Sequence, residues 1–93
     1  MTMFMIRPEL HRANEADYQK LHPLMAARGF LRQIVADDGR KFWLPPAEYV
    51  TVTAMSRDQV LAAVKACAAA VVPSYAVVVT EATGVAWEGL PPA

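Results

Sequence analysis

Ninety-three residues, 55% hydrophobic and 19% charged, suit one domain with one core and exclude charge-driven disorder. No stretch approaches the roughly 20 consecutive apolar residues of a membrane span. Lysine plus arginine and aspartate plus glutamate each number nine, which excludes a general electrostatic pull toward nucleic acid or an anionic membrane, so any basic surface must be local.

Met3 to Leu10 alternates as a strand does, with Phe4, Ile6 and Leu10 on one side and Met3, Met5, Arg7 and Glu9 on the other. Pro8 cannot donate to a ladder and marks a bulge or the end of pairing. The apolar stretch before Glu9 is short and lacks a small-residue cleavage site, so it does not read as a signal peptide, and the cytoplasm is the default compartment. Asn14 starts a helix expected over 15–28. Tyr18, Leu21, Leu24 and Met25 recur at helical spacing, and Gly29 closes it in a left-handed conformation. Pro23 predicts a kink or short break, because proline in a helix interior costs near 3 kcal/mol.

Strand-forming residues fill 30–37, and Asp37-Asp38-Gly39-Arg40 is a turn sequence. Phe42 to Leu44 returns antiparallel, and Pro45-Pro46 then interrupts, leaving one bent strand or two short ones between Phe42 and Thr53. Ser56 with Gln59 forms a capping box ahead of the apolar stripe Val60, Leu61, Val64, Cys67, Ala68 and Val71. Cys67, the only cysteine, reads as a core residue rather than a redox or nucleophilic one. Tyr75 to Thr80 is a continuous apolar run of the kind buried mid-sheet.

The order β-α-β-β-α-β predicts an α+β, ferredoxin-like two-layer sandwich, a four-stranded antiparallel sheet with both helices on one face. That domain spans 1–80. Residues 81–93, with Trp87 and Leu90 as their large apolar groups, form either a frayed tail or a docking arm. The sheet face left uncovered predicts a homodimer.

Few residues suggest chemistry. His11 and His22 lack the spacing of a metal pair or a triad, and Asp37 and Asp38 read as turn formers rather than metal ligands. His22 is the better-placed histidine, because Pro23 fixes the helix beside it and imidazole exchanges protons near neutral pH. Arg28, Arg32, Arg40 and Lys41 gather with Phe42 and Trp43 at one end of the expected fold. Guanidinium groups beside a stacking aromatic suit single-stranded nucleic acid. With zero net charge, a solvated, charge-protected sheet edge is the favoured reading of the same residues.

Leu21-His22-Pro23-Leu24-Met25-Ala26-Ala27-Arg28-Gly29-Phe30 followed by Ile34-Val35-Ala36-Asp37-Asp38-Gly39 resembles the GhoS family, antitoxins of type V toxin–antitoxin systems. The likeness extends over Tyr18 to Val71, including Leu44-Pro45 to Tyr49 and the helix after Ser56. It implies a ferredoxin-like domain similar in architecture to CRISPR-associated adaptation nucleases. It also implies an endoribonuclease in which the 2′-hydroxyl of single-stranded RNA attacks the adjacent phosphate. On that resemblance His22 and Arg28 are the catalytic candidates, and Arg32, Arg40, Lys41 and Trp43 the RNA-binding ones. No metal or other cofactor is expected: where the adaptation nucleases carry an aspartate, the first strand ends in Arg7-Pro8-Glu9. Single-stranded RNA is the expected partner, with no DNA and no membrane. The competing reading is a non-catalytic dimeric adaptor or regulator, of the prophage-borne kind, that binds a protein through its open sheet face.

Overall fold

The computed structural model describes residues 1–93. Its elements are β1 (Thr2–Leu10), α1 (Glu15–Ala26), β2 (Gln33–Val35), β3 (Lys41–Trp43), β4 (Tyr49–Thr53), α2 (Arg57–Ala69) and β5 (Tyr75–Ala82). β1 is the central strand of an antiparallel sheet ordered β4-β1-β5, with Phe4 opposite Thr51 and Ile6 opposite both Tyr49 and Val79. Pairing with β4 stops at Ile6, two residues before Pro8, whereas pairing with β5 continues to Leu10. The missing N–H of Pro8 therefore costs that side of the ladder little.

The inward side chains of β1 meet the helices. Phe4, Ile6, Leu10, Leu21, Met25, Phe30, Tyr49, Val60, Val64, Cys67, Ala68 and Val72 form one buried cluster. Both helices start as the sequence dictates. Asn14 Oδ1 accepts from the Asp17 N–H and Ser56 Oγ from the Gln59 N–H, each with the reciprocal bond in place. α1 ends in a Schellman closure in which the Gly29 N–H donates to Ala26 O and the Phe30 N–H to Met25 O, with Gly29 at φ 80°. The helix runs through Pro23 without the expected break. Pro23 is exposed, so the carbonyl it leaves without a helical partner can be solvated.

Three expectations need correction. The sheet has three strands, not four: β2 pairs with β3 in a separate two-stranded sheet and joins β4 only through Leu31 and Val50, which exchange N–H···O bonds at 2.9 and 2.8 Å. The cause lies at Pro45-Pro46-Ala47. Two residues without N–H groups and a third at φ 63° turn the chain between β3 and β4, and the β2–β3 hairpin swings away from the sheet. β5 is an edge strand rather than a mid-sheet one, with Val78 60% exposed on its outward side. The second sheet face is also not left bare. Residues after Ala82 fold back so that Val85, Trp87 and Leu90 join Met3, Met5 and Phe42 around buried Ile34, Leu44 and Val50. The arm then pairs with β3, the Trp43 N–H donating to Pro91 O and the Ala93 N–H to Lys41 O, both at 2.9 Å. No helix is long and apolar enough to cross a membrane.

Candidate nucleic-acid interface

Tyr49 opens β4 with its side chain turned into the core, wholly buried, so its hydroxyl must find a partner inside the protein. That partner is His22 Nδ1 on α1, 2.5 Å away, with the rings tilted at 53°. Tyr49 Oη has no other hydrogen-bond partner, and a buried hydroxyl proton left unpaired costs about 1–3 kcal/mol. The hydroxyl therefore donates, Nδ1 accepts, and the neutral His22 ring keeps its proton on Nε2. Nε2 has no protein partner.

Burial, followed by the nearby Arg32 charge, holds the His22 imidazole below its usual pKa. Burial pushes the Tyr49 hydroxyl up to about 12, against a smaller opposing pull from Arg32. Because the unfolded tyrosine ionises near 10 and the folded one near 12, the unfolded state loses its proton first. Stability from this group is complete below about pH 10 and is lost as pH rises toward 12, at most about 3 kcal/mol in all. His22 acts at the acid end, where the unfolded ring charges first, so its contribution falls away below about pH 6.5. Tyr49→Phe should remove the alkaline loss, which thermal melts between pH 8 and 11.5 would reveal as a flatter curve than wild type. An unchanged alkaline limb would place it in another group.

Arg32 lies in the segment between α1 and β2, its guanidinium 5.5 Å from the centre of the Trp43 ring. Its Nε is buried and has no hydrogen-bond partner. No carboxylate pairs with it, since the ion pairs of the molecule are His11–Glu9 and Arg40–Asp38. A buried guanidinium N–H without an acceptor is costly.

Two hollows flank His22 and Arg32. One, about 310 Å³, is completed by Ala26, Phe30, Leu31, Gln33 and Trp43. The other, about 490 Å³, is completed by Glu15, Tyr18, Gln19, Pro46 and Ala47. Glu15, Tyr18, Gln19, His22 and Ala26 recur at three- and four-residue intervals, so α1 presents them along one face.

Of the residues singled out from sequence, His22, Arg32 and Trp43 come together here. Arg28 does not. It lies two residues past the end of α1, in the turn that closes the helix, and reaches toward Cys67, whose thiol is pushed up by burial and pulled partly back by that guanidinium. Arg40 is held at the hairpin tip by Asp38, Nε to Oδ2 at 2.7 Å, and covers the Phe42 ring at 5.6 Å. The Arg40 N–H and guanidinium in turn hold the Asp38 carboxyl below its usual range, so Asp38 is a turn former. Lys41 is exposed and shares the hairpin face of Trp43, two residues away.

Sequence reasoning missed Tyr49, which is 27 residues from His22, and the polar rim of Glu15 and Gln19, for which the α1 spacing was the available signal. It also could not foresee that Ser74 Oγ lies 2.8 Å from His11 Nδ1 while His11 Nε2 lies 3.4 Å from Glu9 Oε1. That alignment borders none of the five hollows in the molecule, so nothing seats a substrate against Ser74. No group of three or more His, Cys, Asp or Glu residues is placed to hold a metal ion. Compared with known protein families, curated proteins and solved structures, the chain matches none.

Proposed function

We propose that this chain is a small single-stranded RNA-binding protein of the toxin–antitoxin type, a ferredoxin-like domain that engages RNA around His22, Arg32 and Trp43. The observation that carries the reading is the Arg32 guanidinium, which no carboxylate pairs, set against an aromatic ring and beside a histidine held as a hydrogen-bond donor. A phosphodiester oxygen would pair with the Arg32 guanidinium, and a base would stack on Trp43, which is 38% exposed. The ferredoxin-like reading is supported by the strand order. With Leu31 bridged to the outer side of β4, the hairpin occupies the place of a fourth strand that has swung out of the sheet.

Cleavage is the less favoured version. To act as base on the 2′-hydroxyl, His22 needs an unprotonated Nε2, and the Tyr49 hydrogen bond leaves Nε2 protonated. As an acid it would need to be imidazolium, which burial and Arg32 disfavour. Binding without turnover is therefore the proposed function. Single-stranded RNA incubated with purified protein and a chelator should remain intact. Fragments ending in 2′,3′-cyclic phosphate, produced by wild type and not by His22→Ala, would instead establish the nuclease.

The adaptor reading draws on Val52 and Val78, 58% and 60% exposed on the second sheet face. The arm covers Met3, Met5 and Val50 on that same face, which shrinks the surface such a partner could use.

A further inference from the structure

His22 and Arg32 are the only residues common to the two hollows. A ligand anchored on them through a central anion would have one substituent on each side. The hollows differ in chemistry. The one at Trp43 is walled by Ala26, Phe30 and Leu31, with Gln33 as its only other polar side chain, and suits a stacked ring. The one at Glu15 has a carboxylate and the Gln19 amide on its rim, and suits a ring edge carrying N–H donors. Along α1 the two extend from Glu15 to Ala26, about 16 Å at 1.5 Å per residue.

Resting on the RNA reading above, we propose that the recognised unit is a dinucleotide step. Its phosphodiester sits on the Arg32 guanidinium and the His22 Nε2–H. One base stacks on Trp43, and the neighbouring base places its edge against Glu15 and Gln19. The carboxylate of Glu15 repels a second phosphate and accepts hydrogen bonds, so the site selects a base with paired donors. Guanine fits best, since its N1–H and exocyclic amino group present two parallel donors to one carboxylate. Uracil offers a single N–H between two carbonyl oxygens and fits worst. Sequence preference then comes from Glu15, and sequence-tolerant affinity from Trp43 and Arg32.

The test is fluorescence anisotropy with two 5′-labelled RNA octamers, one all uridine and one with a central guanosine in the same background. Wild type should bind the guanosine octamer about 5- to 150-fold more tightly, the range of one bidentate base contact. Glu15→Gln should bring the two affinities together. Trp43→Leu should weaken both by about 5- to 150-fold, the loss of one stacked base, while Trp43→Phe, which keeps a ring, recovers most of it. Circular dichroism establishes that each variant is folded. Binding of both octamers that depends on Arg32 but not on Trp43 or Glu15 would overturn the dinucleotide arrangement and leave the RNA reading standing. If wild type binds neither octamer, both fail.

Discussion

Arg32→Ala is expected to weaken single-stranded RNA binding by about 10- to 100-fold, the worth of a charge-assisted contact of roughly 1.5–3 kcal/mol. The fold should tolerate the change. Arg32 pairs with no carboxylate, and its buried Nε is unsatisfied, so truncation removes a cost along with the contact to Trp43. The same variant should raise the pKa of His22, because Arg32 is one of the two influences that lower it. An NMR titration of the imidazole reads that shift without any RNA present. Arg40→Ala provides the contrast. Its guanidinium already serves Asp38 at the exposed hairpin tip, and its loss should cost RNA affinity only a few-fold. Arg28→Ala, away from both hollows, should leave binding unchanged.

Phe4→Ala should destabilise the protein by about 3–5 kcal/mol, the usual range for removing a buried aromatic ring. Phe4 is 1% exposed on the inward side of β1, with both helices packed over the same cluster. A chain of 93 residues has roughly 5–14 kcal/mol to lose, so the variant should be largely unfolded in modest urea. Trp87→Ala should behave differently. It loosens the arm from Phe42, Met3 and Met5 while the helix-side core stays intact. Urea unfolding should then show a lower m-value, because less surface remains to be exposed once the arm is free. An unchanged m-value with a lower midpoint would mean that the arm stays docked without its tryptophan.

Local signals carried much of the fold. The two capping boxes, the glycine closure at Gly29 and the Asp-Asp-Gly turn are short-range devices, whose hydrogen bonds join residues a few positions apart, and each appears where its residues stand. What escaped was set by distance along the chain. Pro45-Pro46 announced an interruption but not that it would carry the hairpin out of the sheet, because that depends on the φ of Ala47 and on where Leu31 meets Val50. The arm was left open between fraying and docking, since the surface it covers comes from β1, β3 and β4. At the site, His22, Arg32 and Trp43 were legible as residue types. Their grouping without Arg28 follows from where α1 ends, two residues short of it, and the tautomer of His22 follows from Tyr49, 27 residues away on β4.

The most direct measurement is a titration of 5′-labelled single-stranded RNA with wild type and Arg32→Ala at two salt concentrations. The account predicts saturable binding by wild type that weakens with salt as phosphate contacts require, and a loss of at least about 10-fold in the variant. Superimposable curves for the two proteins, or no binding by wild type at about 100 μM, well below the millimolar range of a mere 4 kcal/mol contact, would contradict it.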